Sequence, residues 1–136
     1  MPFEITPINS RLYLIRWQRF PNAVESQQFI RALEDLLNKA DRKVSFLSDL
    51  RKGYLKELSL INKLSRLASH PNCAHTTAFG SVGSQVYAGI YQKLSTKADK
   101  PREGDTWFTL EQALAYLEKL EPGITDGIDL KEVARP

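Results

Sequence analysis

Lys43-Val-Ser-Phe-Leu-Ser-Asp-Leu-Arg-Lys-Gly-Tyr54, followed by a helical run to Leu67, decides the fold of this chain. Val44 to Leu50 is apolar enough for a buried strand, and Gly53 breaks the chain after a short polar turn. Leu55, Leu58, Ile61, Leu64, Leu67 and Ala68 then recur at spacings of three and four, the signature of an amphipathic helix. In an open sheet of parallel strands, ligands and partners meet the protein at the carboxyl ends of the strands. Ser48, Asp49 and Arg51 therefore stand where a site is expected. Val44 and Phe46 alternate with Ser45 and Leu47, which predicts a sheet with one face covered only in part.

Upstream, Phe3 to Thr6 and Arg11 to Trp17 read as two strands joined by a turn at Ile8-Asn-Ser10, too short for anything but an antiparallel hairpin. Asn22 is a good N-cap with Glu25 three residues on, and Val24, Phe29, Ile30, Leu33, Leu36 and Leu37 mark a helix over 23–39. Downstream, Pro71 stops the second helix, and Cys73 to Phe79 is a fourth strand. Gly80-Ser-Val-Gly-Ser84 is a glycine-rich turn into a third helix with Val86, Tyr87, Ile90, Tyr91 and Leu94 on its buried stripe. After a polar loop, Thr106-Trp-Phe108 is a short last strand. Thr109 then caps a helix, with Gln112 in the reciprocal position, that ends at Pro122-Gly123.

The order is β-β-α-β-α-β-α-β-α, which predicts an α/β domain over residues 1–122. Its open, mostly parallel sheet has five strands, the first of them antiparallel. Residues 123–136 show no strong period and are expected to be a tail, loosely attached or ordered by a partner.

Composition narrows the function. The chain has 136 residues, 42% hydrophobic and 26% charged, as in an ordinary globular domain. It contains no run of about 18 apolar residues, so no membrane insertion is expected. The first residues carry no secretory pattern, so a cytoplasmic location is the expectation. Cys73 is the only cysteine and His70 and His75 the only histidines, which leaves no internal disulfide and no metal set. No cofactor motif is present. A net charge of +3 and a pI near 9.0 are too mild to point to nucleic acid as a partner.

This succession resembles the SpoIIAA-like or STAS-like family, the anti-sigma-factor antagonist fold, over Phe3 to Glu121. The ending Thr106-Trp-Phe-Thr-Leu-Glu-Gln-Ala-Leu-Ala-Tyr-Leu117 carries most of the likeness. The entry Ser69-His-Pro-Asn72 is similar to that of bacterial STAS-like domains of unassigned function. The resemblance implies a regulatory domain that binds a protein partner. In the best-understood branch the switch is a serine phosphorylated just after the third strand, in an Asp-Ser-Ser-Gly pattern. Here the pattern is broken. If Asp49 aligns with the family aspartate, Leu50 and Arg51 hold the phosphoacceptor positions. If Ser48 does, Asp49 holds the phosphoserine place.

Candidate sites follow, each with a plainer alternative. Ser48, Asp49, Arg51 and Lys52 offer a polar, anion-contacting surface; alternatively Asp49 merely caps its turn. Gly80, Ser81, Gly83 and Ser84 offer backbone N–H groups to an anion, or simply enter a helix. Phe79, Tyr87, Tyr91 and Trp107 line an apolar pocket, or are aromatic core. Cys73 and His75, on one face of a strand, are a thiol–imidazole pair or two buried side chains. Arg11, Arg16, Arg19, Arg42 and Lys43 form a basic patch or a solvated face. The expectation drawn from these is a non-enzymatic regulatory or protein-interaction domain that binds a protein partner or self-associates as a homodimer. The alternative is a module for a small apolar ligand or lipid held between sheet and helices.

Overall fold

The computed structural model describes residues 2–80 and 106–134. In chain order the elements are β1 (Phe3–Pro7), β2 (Leu12–Trp17), α1 (Ala23–Lys39), β3 (Val44–Asp49), α2 (Leu58–Ala68) and β4 (Cys73–Phe79). They are followed by β5 (Thr106–Trp107), α3 (Leu110–Leu120) and α4 (Leu130–Ala134). The helix expected after the glycine-rich turn lies outside the described residues.

The sheet is mixed, as expected. β1 runs antiparallel to β2, with Ile5 opposite Ile15, while β2–β3 and β3–β4 are parallel. β5 adds two residues at the edge, Thr106 and Trp107, parallel to Ala78 and Phe79. The strands lie in the order of the chain.

Two cores sandwich this sheet. On one face Phe3, Ile15, Trp17, Val44 and Phe46 pack against Phe29, Ile30, Leu33 and Leu37 of α1 and Leu60 and Ile61 of α2. The rings of Phe3, Trp17 and Phe29 meet at centroid distances of 4.6 to 5.6 Å, tilted or edge-on as aromatic quadrupoles prefer. On the other face Leu12, Leu14, Leu47 and Phe79 pack against Leu110, Ala113 and Leu117 of α3, with Ile124 and Val133 beyond it.

β3 is thus covered on both sides, contrary to the half-covered sheet expected from its alternation. Ser45 is buried as deeply as its apolar neighbours. Its Oγ accepts the His75 N–H at 3.2 Å, so a hydroxyl sits in the interior with its hydrogen-bonding need met.

The parallel β3–β4 pairing carries a bulge. Val44 faces Cys73 but Phe46 faces Thr76, so β4 has one extra residue in between. That breaks the two-residue alternation on which the Cys73–His75 pair depended.

The expected C-terminal tail is another correction. Residues 123–134 are packed onto the domain, with Ile124 and Val133 almost wholly buried. Gly123, at φ +86°, turns the chain out of α3. The Glu118 carboxylate fixes this turn by accepting the N–H groups of Gly123 and Thr125 and the Thr125 hydroxyl, at 2.9–3.0 Å. These bonds, led by the Thr125 N–H, hold Glu118 below its ordinary pKa. Asn9 donates to the carbonyls of Ile124 and Asp126, both at 2.8 Å. Hydrophobic period misses such a segment because it is anchored by main-chain carbonyls and isolated apolar residues.

The α1 N-terminus shows local sequence acting directly. Asn22 accepts the Glu25 N–H at 2.9 Å, and Glu25 accepts the Asn22 N–H at 3.0 Å, a complete capping box. Arg19, hydrogen-bonded to the Glu25 carboxylate, and then the Asn22 N–H lower the Glu25 pKa to about 2. Asn22→Ala is expected to cost about 1 kcal/mol in urea unfolding. Because the folded pKa of Glu25 is depressed, its contribution is present above the unfolded value near 4.5 and fades as pH falls toward 2. Glu25→Gln should therefore flatten the stability profile in that window and leave its slope near neutrality unchanged.

Candidate functional site

The carboxyl ends of β2, β3 and β4 place Arg16, Asp49 and Phe79 side by side across the sheet, each opposite the next in register. All three belong to the face covered by α3 and the C-terminal segment. Asp49 is buried, with only 5% of its side chain exposed. A carboxylate taken out of water needs charged partners, and here it has two.

Arg51 turns back on Asp49 as a fork. Its Nε lies 3.0 Å from Oδ1 and its Nη2 2.8 Å from Oδ2, while the Arg51 backbone N–H also donates to Oδ1 at 3.1 Å. The paired carboxylate raises the Arg51 pKa further above its already high range. Arg16 approaches from the neighbouring strand, Nε 3.6 Å from Oδ2. The Arg51 guanidinium also lies 5.2 Å from the centre of the Phe79 ring, a cation–π contact.

One carboxylate cannot accept every N–H of two guanidinium groups. Arg16 Nε, buried 3.6 Å from Asp49 Oδ2, makes no hydrogen bond among the described residues, while the outer Nη donors of both arginines reach the end of α4. Arg16 Nη2 donates to the carbonyls of Glu132 and Val133 at 2.8 and 2.7 Å. Arg51 donates to those of Val133 and Ala134, both at 3.2 Å. Carbonyls in the last turn of a helix lack intrahelical partners and carry partial negative charge, so cations there are favourable. Val133 inserts between them into the core. The row Arg16–Asp49–Arg51 is a clasp that seats the C-terminal segment.

The expected site residues fare differently. Asp49 and Arg51 do meet, but in an internal ion pair. Ser48 lies on the opposite pleat and faces the α1/α2 side, so it does not join them. Lys52 is exposed at the tip of the turn. Gly53 passes so close to β2's exit that an added Cβ would sit 2.3 Å from the Arg19 carbonyl oxygen. No side chain fits there without moving the turn. Gly80 gives its N–H to the Trp107 carbonyl at 2.9 Å, extending the β4–β5 pairing, and so does not offer it to an anion. Ser81, Gly83, Ser84, Tyr87 and Tyr91 lie outside the described residues.

Among the described residues, Phe79 and Trp107 both belong to the face of the sheet under α3. Phe79 is buried under α3, and the Trp107 ring lies 5.6 Å from that of Tyr116. A small apolar cavity of about 80 Å³ lies on the opposite face, walled by Trp17, Phe29, Leu33, Phe46, Ser48 and Cys73 among others. His75 does not join Cys73 in that wall, a consequence of the bulge. His70 is structural: its ring bonds Asn38 Oδ1 at 3.0 Å and accepts the Asn72 N–H at 3.0 Å. Asn72 in turn donates to the carbonyls of Leu37 and Ala40 at the end of α1.

The basic residues grouped by the sequence reading do not form a patch. Arg11 pairs with Glu121, Arg19 with Glu25 and Arg42 with Asp41, while Arg16 is in the clasp. What sequence reasoning missed is an aromatic patch beside the turn. Phe20 is exposed, stacks edge-on against Tyr54 at 4.8 Å, and carries the Lys56 ammonium 4.0 Å from its ring centre. Its sequence signal is the pair Arg19-Phe20 before a helix, where a capping residue needs no aromatic neighbour.

Removing Asp49 leaves two guanidinium groups in a partly buried site without their counter-charge. Asp49→Ala is expected to destabilise the protein by about 3 kcal/mol. A combined Arg16→Met, Asp49→Leu, Arg51→Met variant should recover part of that loss, since an apolar replacement strands no charge. Equal destabilisation in the two variants, measured by denaturant unfolding, would show that the charges themselves are not what holds the clasp.

No family model matches the sequence, and no curated protein does. Among solved structures, the anti-sigma factor antagonist SpoIIAA in its unphosphorylated form superposes with a TM-score of 0.59. The match, at 11% identity, covers 86% of this chain and 96% of that one. SLC26A9 superposes with a TM-score of 0.52 at 13% identity, over 81% of this chain and 20% of that chain. At such identities the likeness speaks to architecture: the chain has the STAS-like fold of SpoIIAA.

Proposed function

We propose that this chain is a non-enzymatic regulatory or protein-interaction domain of the STAS type that works without a phosphoserine switch. In this reading β5 serves as the fifth strand of the sheet, and the protein acts in the cytoplasm on a protein partner. The observation that carries the proposal is the state of the strand-end turn. Asp49 is buried and bound by two arginines, so in either alignment with the family pattern the turn presents no serine outward. Ser48, the nearest hydroxyl, is half-buried and borders the interior cavity. A fixed carboxylate already neutralised within the fold has no charge left to switch.

The partner surface is then what the turn exposes: Lys52, the outer edge of Arg51, and the adjoining Phe20, Tyr54 and Lys56. Tyr54 and Arg51 are of the residue types enriched in binding hot spots, and Phe20 adds apolar aromatic area beside them.

The apolar-ligand alternative has one observation in its favour, the cavity under α1 and α2. Its volume of about 80 Å³ is well below the ~150 Å³ of an engineered apolar cavity that accepts benzene. As formed it has no room for a lipid chain, so partner binding is the better-supported function.

Affinity capture from native lysate, compared between wild type and a Phe20→Ala, Lys52→Glu variant, tests the proposal. Both positions are exposed, so thermal stability should be unchanged. A protein captured by wild type should be lost by about tenfold or more in the variant, the cost of about 1.4 kcal/mol or more at a hot spot. Capture indifferent to both substitutions would remove the turn as the recognition surface. Phosphate found on Ser48 by mass spectrometry of the native protein would contradict the absence of a switch.

A further inference from the structure

A second surface lies on the helical face, and it uses no residue of the strand-end turn. α1 and α2 pack side by side on the sheet and leave a groove of about 470 Å³ between them. Arg31 borders it from α1, Lys63 and Arg66 from α2, and Glu34 is the only carboxylate in its wall. Ile30 and Leu67 form part of its floor. Three cations and one anion give the groove a local charge of +2 in a chain whose formal net charge is +3.

Among the described arginines, Arg31 and Arg66 stand apart. Arg11, Arg19, Arg42 and Arg51 each pair with a carboxylate. Among the described residues none pairs with Arg31, Lys63 or Arg66, although Glu34 follows Arg31 by one helical turn. Lys63 and Arg66 are themselves three residues apart on α2, a like-charge spacing that weakens a helix by a few tenths of a kcal/mol. The fold gathers positive charge around an apolar-floored groove and does not neutralise it.

We propose that this groove docks an acidic amphipathic segment of a partner protein, with glutamates or aspartates against Arg31, Lys63 and Arg66 and apolar side chains on the floor. Helix-in-groove recognition uses this combination of apolar anchors and flanking charge. A second copy of the chain is a poor occupant, because a two-fold contact brings the same cations together. Nucleic acid is a poor one as well: no aromatic side chain lines the groove, so bases have no stacking platform.

The intact protein is titrated into a fluorescein-labelled peptide of two Leu-Glu-Glu-Leu-Leu-Glu-Glu heptads and binding is read by anisotropy. Binding is expected to weaken as salt rises toward physiological strength, where charge attraction is screened. Each of Arg31→Glu, Lys63→Glu and Arg66→Glu should weaken it by about fivefold or more, and the triple reversal should abolish it. The glutamine substitutions at the same positions, which repel nothing, should give smaller losses in the same order. Lys52→Glu, at the strand-end turn, should leave binding unchanged, which separates this groove from the surface proposed above. A peptide with lysine in place of glutamate should not bind. The inference is overturned if wild type ignores the acidic peptide, if the triple reversal binds it equally well, or if a single-stranded RNA oligomer binds more tightly and displaces it.

Discussion

Asp49 is buried at the carboxyl end of the central strand, and a buried carboxylate dictates much of what surrounds it. Its desolvation costs several kcal/mol unless charged groups replace the lost water. Arg51 supplies a bidentate fork from two residues away, and Arg16 supplies a second charge from the neighbouring strand. Two guanidinium groups bring more donors than one carboxylate can use. Their outer Nη donors are taken up by the carbonyls of Glu132, Val133 and Ala134. A local solvation problem in β3 thereby fixes the position of residues more than eighty places along the chain.

That arrangement shapes the functional reading. A turn at the end of the third strand is where a STAS-like domain is expected to meet its partner. In this chain Asp49 and Arg51 of that turn pair with each other, and the proposed recognition surface is what stands outside them: Lys52 and the aromatic residues beside it.

The parts of the fold that follow local rules were legible in the sequence. α1 spans Ala23–Lys39, the bounds that its cap and period indicate, because Asn22 and Glu25 specify the first turn by themselves. Cys73–Phe79 likewise follows from Pro71 and the glycine after it. Ser45 misled because a serine reads as a solvent-facing residue, whereas one hydrogen bond suffices to bury it. The extra residue in β4 is a property of pairing and leaves no mark on either strand alone. The C-terminal segment was misread for a related reason. Ile124 and Val133 are nine residues apart and share no period, and their burial depends on Asn9, Arg16 and Arg51 from distant elements. Asp49 and Arg51 stand out by position in the sequence, but their pairing involves Arg16, a residue whose relevance emerges only when β2 and β3 are seen to be adjacent.

Hydrogen exchange of the Val133 amide, which donates to the carbonyl of Asp129 at the start of α4, tests the clasp most directly. A five-residue helix has no stability of its own in water, so protection there comes from its anchorage on the domain, through Val133 in the core and through the two arginines bound to Asp49. The account predicts that in the wild-type protein this amide exchanges far more slowly than an unstructured peptide, and that Asp49→Asn releases it while the amides of β3 stay protected. Exchange at the random-coil rate in the wild type would contradict it, as would protection that survives the substitution unchanged.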